Sequence, residues 1–224
     1  MTPLTAAPNL IQQAYDRILA AIVDHSLPPG LRIRQHELAD SLGVSRQPVS
    51  HALHLLHRQG LVTESGRKGF AVAPLDGERM RQLYEVRAAL DGLAARLAAG
   101  RAATDPVGIK ALRACLDAGR AIDAGAPLSP LIDRDAAFHQ AVYRLSGNPA
   151  IAETTAPQWP HLRRSMAAVL MDEPYRARVW AEHEDIARRI EAGDADGAET
   201  AARDHALRAG RSIAARLEEI SQAA

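Results

Sequence analysis

Aromatic residues make up only 4% of this 224-residue chain, and there is a single cysteine, Cys115. One thiol closes no internal disulfide and excludes a zinc site built on several thiolates. No run of about 18 apolar residues is present to span a bilayer. "MTPLTAAPNL" lacks a basic stretch followed by an apolar one, so no signal peptide is read and a cytoplasmic protein is expected. Net charge is missing too, because 27 Lys+Arg balance 27 Asp+Glu, which removes any global electrostatic argument for a nucleic-acid partner. Residues 1–75 tilt only slightly basic, with seven Lys/Arg against five Asp/Glu, and they hold five of the nine histidines.

What the chain has instead is alanine, leucine, arginine and glutamate, all good helix formers, with 47% hydrophobic residues to fill a core. A mainly α protein follows. In residues 1–75, "NLIQQAYDRILAAIVDHSLPPG" carries apolar residues at helical spacing and is expected to stop at Pro28, Pro29 and Gly30. "QHELADSLG" reads as a short helix broken by Gly43. "VSRQPVSHALHLLHRQG" reads as another, with Ser45 as N-cap, Pro48 in the first turn, an apolar stripe of Val49, Ala52, Leu53 and Leu56, and Gly60 as terminator. Two β-prone runs, Leu61–Thr63 and Phe70–Val72, follow around a Gly-containing turn. That order is a winged helix-turn-helix.

The stretch "HELADSLGVSRQPVSHALHLLHRQGLV" resembles the DNA-binding head of GntR-type transcription regulators, over a match running from Gly30 to Val72. In that family L-A-x-x-L-G-V-S-R-x-P-V enters the second helix, and G-L-V starts the wing. The physics agrees: a helix N-terminus aimed at DNA brings free N–H groups with Ser45, Arg46 and Gln47 to the major groove. Arg46 can fork onto guanine or a phosphate, and Gln47 can read adenine. Arg67 and Lys68 fall at the wing tip, suited to a backbone or minor-groove contact. Arg34, Ser50 and His51 complete the expected DNA contacts. The chain departs from the family at Ser50, where an arginine is usual, at His51, where an acid is usual, and at His36, where some members carry arginine. The family's usual operator preference therefore does not transfer. His51 and His54 face away from the apolar stripe and His57 sits at its margin. This reads as exposed imidazoles near DNA rather than a metal cluster, with DNA affinity rising at mildly acidic pH.

"PLDGE" is a hinge, and residues 76–224 form the second domain. Only helical periodicity follows, in segments near 77–101, 105–124, 129–146, 149–171, 175–192 and 195–221. The fourth is expected to kink or split at Pro157 and Pro160. Short loops between them predict an antiparallel helical bundle. Asp135 and His139 lie one turn apart on one segment. His183 and His205 are each eleven residues from Asp194, so in an antiparallel hairpin they stand level. Three imidazoles and a carboxylate suit a borderline divalent cation. Spacing alone leaves open four unrelated polar residues on separate surfaces.

"DAAFHQAVYRLSGNP" and "HEDIARRIEAGDADGAETAARDH" resemble the FCD ligand-binding domain that accompanies one large subclass of GntR heads. The resemblance implies a divalent metal, zinc or else nickel, on Asp135, His139, His183 and His205. It also implies a small carboxylate effector above the metal. Arg87 matches an arginine that faces that cavity, and Arg163 is a second candidate; Trp159 and Trp180 read as core packing or cavity wall. The expectation is a repressor that binds a two-fold operator as a homodimer, because one head touches too few bases. The alternatives are a metal-dependent hydrolase or oxygenase with a DNA-targeting head, although "HEDIA" lacks the second histidine of H-E-x-x-H, and a regulator whose metal is purely structural.

Overall fold

The computed structural model describes residues 10–66, 69–123 and 125–223. The chain divides between Leu75 and Asp76 into two compact units. The first holds α1 (Leu10–Val23), β1 (Arg32–Ile33), α2 (Gln35–Leu42), α3 (Arg46–Arg58), β2 (Val62–Ser65) and β3 (Gly69–Val72). β3 is the central strand, antiparallel to both others, with Arg32 opposite Ala71 and Thr63 opposite Ala71 on the far side. This is the winged helix-turn-helix order. Its core joins Ile18 and Ile22 of α1 to Val49, Leu53 and Leu56 of α3, with Phe70 and Val72 from the wing.

Two details differ from the sequence reading. α1 ends at Val23 rather than at the prolines, because His25 adopts φ 63 and turns the chain, and Leu27 N–H then closes on the Ala21 carbonyl at 2.8 Å. Left-handed backbone terminates a helix without proline. β1 was not read as a strand, since two residues are too short to show an alternating pattern.

The second unit is helical among its described residues: α4 (Gly77–Arg101), α5 (Pro106–Arg120), α6 (Leu128–Ser146), α7 (Pro149–Thr155), a 3-10 turn (Ala156–Gln158), α8 (Trp159–Met166), α9 (Glu173–Glu191) and α10 (Ala195–Ala223). The segment expected to split at Pro157 and Pro160 does so. Asp76, Asp105, Asn148 and Asp172 cap α4, α5, α7 and α9, each accepting a first-turn backbone N–H.

α4 packs most extensively on α10. Small residues permit this, including buried Ala88, Ala95 and Ala99 on α4 and buried Ala198, Ala202 and Ala206 on α10. At Gly210 an added Cβ would lie 2.5 Å from the Tyr84 Cβ, so the two backbones approach to a distance only glycine allows. The alanine richness of the chain is thus a packing requirement. Among the described residues, no helix is long and apolar enough to cross a membrane.

Candidate metal centre and nucleic-acid interface

Ser45 stands at the N-cap of α3 with extended backbone, but its side chain makes no capping bond. The sequence expectation of a capping serine is corrected in that respect: the first-turn N–H groups of α3 are not closed off by it. Beside them lies an open depression of about 930 Å³. It brings Arg34 and His36 from the start of α2 together with Arg46, Gln47, Ser50 and His51 of α3. Arg32, which the sequence reading missed, joins this face from β1 and passes close to Gly66 and Gly69. Arg34 donates to Glu37 at 2.8 Å, both side chains being well exposed. Arg67 and Lys68 lie outside the described residues. His51 and His54 are exposed, while His57 is half-buried with Nδ1 3.1 Å from the Val62 carbonyl. His54 meets the edge of Phe70. These imidazoles do not converge, and the cluster that does lies elsewhere.

In the second unit α6 projects Asp135 and His139 from one turn, α9 supplies His183, and α10 supplies His205. All four are buried, at 5%, 4%, 0% and 3% exposure. The histidine ligand atoms lie within 4.8 Å of one another. His183 Nε2 and His205 Nε2 are 3.3 Å apart. Asp135 reaches His139 Nε2 with one oxygen and His183 Nε2 with the other, each at 3.8 Å. An ion bonded at about 2.0–2.2 Å sets neighbouring donor atoms roughly 3 to 3.5 Å apart, so the 3.3 and 3.8 Å pairs are near that spacing, and the set must draw in by up to about an ångström to close on a cation.

Buried polar atoms left over support the same fit. His139 Nε2 has no hydrogen-bond partner although it is buried, and neither does His183 Nδ1. An unsatisfied buried nitrogen costs on the order of 1–3 kcal/mol, and a cation at Nε2 removes that cost at His139. Burial also holds His139 and His183 well below the ordinary imidazole range, with nearby Arg87 adding to the effect, so both favour the neutral, ligating form. Burial pushes the Asp135 carboxyl up, against the opposing pull of Arg87 and His205.

Rings wall the cluster. Phe138 stacks on His183 at 4.1 Å, and Trp180 meets the same imidazole edge-on at 4.9 Å. Gly119 makes room for Trp180, since a Cβ there would fall 1.8 Å from the indole. Trp159 lies 6.2 Å from His139. Both tryptophans are therefore core residues and site walls at once.

Two carboxylates absent from the sequence reading stand outside the cluster. Glu182 Oε2 is 2.7 Å from His205 Nδ1, and its Oε1 accepts from Arg208 Nε at 2.9 Å. Burial raises the Glu182 carboxyl, but these two partners outweigh it and hold it low. Asp91 on α4 accepts from Arg87 Nε at 3.1 Å and from the Tyr143 hydroxyl. Sequence carried weak signals for both: Asp91 is one turn beyond Arg87, and Glu182 adjoins His183.

Arg87 is 1% exposed, packed over Tyr84 and Trp159. Burial opposes its charge most strongly, but Asp91, Tyr84, Tyr143 and Asp135 together outweigh that and hold the guanidinium charged. Arg163 instead spends its guanidinium on Asp133 at the part-exposed edge of α6. The adjacent cavity, bounded by Asp91, His139 and Tyr143, has a volume of about 10 Å³. That is room for one water-sized body.

Comparison with known proteins joins the two units. Residues 10–72 match the gntR family of bacterial regulatory proteins, and residues 82–208 match the FCD domain. The chain belongs to the GntR family of transcriptional regulators, in the FCD-containing subclass. This GntR regulator is 33% identical over 196 residues to an HTH-type transcriptional regulator from an unstable DNA locus of Streptomyces ambofaciens, covering 85% of this chain and 79% of that one. It is 27% identical over 197 residues to a protein of Paenarthrobacter nicotinovorans named "Probable D-xylose utilization operon transcriptional repressor", covering 88% and 85%. Its fold superposes on a solved GntR transcriptional regulator from Rhodococcus sp. RHA1 with TM-score 0.73 at 23% identity, covering 91% and 96%. The family is one of regulators and not of enzymes, so the reading of a hydrolase or oxygenase is set aside.

Proposed function

We propose that this GntR regulator is a homodimeric repressor. Its heads bind a two-fold operator, and its helical unit holds a divalent metal and responds to a small carboxylate. The observation that carries the reading is the convergence of Asp135, His139, His183 and His205, from three helices, with the buried His139 Nε2 left unpartnered. These four would hold the ion. Zinc suits three imidazoles and a carboxylate, with nickel the next choice. When bound, the metal offers a Lewis-acidic position for a carboxylate oxygen.

Arg87 is the favoured partner for such an anion, being buried, permanently charged and one Nη2 short of its hydrogen bonds. Arg163 is already paired with Asp133, which leaves it a lesser role at the rim. On the head, Ser45, Arg46 and Gln47 would meet base edges and phosphates, while Arg34, Ser50 and His51 line the same depression. Arg67 and Lys68 would contact the DNA backbone from the wing. Repression draws support from the repressor named among the relatives.

A second reading has its own support: a cavity of about 10 Å³ admits no organic acid as it stands, which favours a purely structural metal. Elemental analysis of the purified protein, alongside His139→Ala and His205→Ala, tests the site. Thermal-shift screening of carboxylic acids on the metal-loaded protein separates the two readings, because an effector stabilises in proportion to its affinity and a structural site gives no response.

A further inference from the structure

Asp91 belongs to none of the ligand sets above, yet three donors converge on it. Its Oδ2 lies 3.1 Å from Arg87 Nε and 3.5 Å from His139 Nδ1, and its Oδ1 accepts from the Tyr143 hydroxyl. All four side chains are buried. One carboxylate oxygen therefore faces two claimants: the arginine assigned to the effector and a metal ligand. At 3.1 Å the arginine holds the oxygen, while 3.5 Å leaves the imidazole short of a full hydrogen bond.

The other outer carboxylate is arranged differently. Glu182 gives Oε2 to His205 at 2.7 Å and Oε1 to Arg208 at 2.9 Å, so its two partners do not compete. The competition is specific to Asp91.

Resting on the metal and carboxylate reading above, we infer that Asp91 is a shared positioning residue that couples Arg87 to the metal ligand His139. An incoming carboxylate meets a guanidinium whose Nη2 is unpartnered, and two parallel N–H···O bonds are the favoured geometry for that pair. Engaging Arg87 in this way loosens it from Asp91 Oδ2. The released oxygen then closes on His139 Nδ1–H, which fixes the imidazole with Nε2 towards the cluster and strengthens it as a donor. Linkage makes the effect mutual: an ion that draws His139 in also draws Asp91 off Arg87 and readies the arginine for an anion.

The test uses the full chain and the metal alone. Zinc affinity is measured by competition with a chromophoric chelator for Arg87→Met in three backgrounds: unaltered, Asp91→Asn and Glu182→Gln. The expected gain in affinity is about three- to tenfold in the unaltered and Glu182→Gln backgrounds, shrinking to less than about twofold with Asp91→Asn. An equal gain in all three means that Arg87 acts by charge repulsion alone and overturns the inference; a loss of affinity in Arg87→Met does the same. Should Asp91→Asn not fold, the imidazole N–H resonance of His139 in zinc-loaded protein serves instead. It moves downfield in Arg87→Met if Asp91 closes on Nδ1, and an unmoved resonance overturns the proposal. Unaltered protein that takes up no ion overturns the metal reading and this inference together, whereas equal gains in metal-binding protein leave the metal reading intact.

Discussion

The Nε2 atoms of His183 and His205 stand 3.3 Å apart, from residues placed symmetrically eleven positions on either side of Asp194. The α9–α10 hairpin turns at Asp194, whose carboxylate accepts the Gly197 N–H and pairs with Arg189. Two imidazole nitrogens facing each other at that separation need either a shared proton or a shared cation.

A cation at this place links stability to metal. Metal present at about a hundred times its dissociation constant adds roughly 2.7 kcal/mol to the folded state. For a domain of this size that amounts to about 5–10 °C in melting temperature. Chelator is expected to lower the melting temperature of the unaltered protein by that amount and to leave His139→Ala and His205→Ala unmoved. A chelator-insensitive unaltered protein contradicts the assignment.

Acid should destabilise the metal-free protein. Burial holds His139 and His183 well below 6.5 in the fold, so between the folded and unfolded values the unfolded chain binds more protons. Stability then rises with pH up to about 6.5 and is lost as pH falls below it. Asp135, pushed up by burial, works in the opposite sense from 3.8 upward, but it is one carboxyl against two imidazoles. The two imidazoles alone contribute a loss on the order of 2 kcal/mol over the first pH unit below 6.5, from which Asp135 subtracts. Urea unfolding of chelator-treated protein above and below that value reads it, and equal midpoints would argue against buried neutral histidines.

The contact of α4 with α10 has no slack. Gly210→Ala places a methyl 2.5 Å from the Tyr84 Cβ, and neither atom is the end of a flexible chain. The helices must part, at a cost of about 1–3 kcal/mol. Gly100→Ala, where nothing lies within 4 Å, is the control and is expected to be neutral or stabilising.

On the head, Arg46→Ala is expected to weaken operator binding by about 1–3 kcal/mol, with relaxed specificity at one base pair if it reads guanine. If it contacts phosphate, the loss is uniform across sequences and the salt slope falls by about one. Titrations at several salt concentrations with operator and scrambled DNA separate these, and unchanged affinity for both removes Arg46 from the interface.

Legibility of the sequence followed the range of the interaction. Helical periodicity and the Pro/Gly punctuation showed the helices of both units, because those signals lie within one or two turns. The four proposed ligands were legible as a set because Asp135 and His139 share a turn and because the symmetric hairpin made His183 and His205 level. Asp91 and Glu182 were not, since each carboxylate earns its place through a partner on another helix, 48 and 23 residues away along the chain. The stop of α1 at His25 was hidden for another reason: a non-glycine residue in left-handed backbone leaves no mark in composition.

Arg87 and Asp91 sit on α4, whose first residue follows Asp76 directly. Eleven residue steps of unbroken helix lead from Asp76 to Arg87, about 16 Å of nearly rigid rod. Glycine-tight seating against α10 denies that rod any local bend, so a displacement at Arg87 is delivered whole to its other end. No relay of side chains is therefore needed for a shift at Arg87 to be felt at residue 76. A single stiff lever is already in the fold.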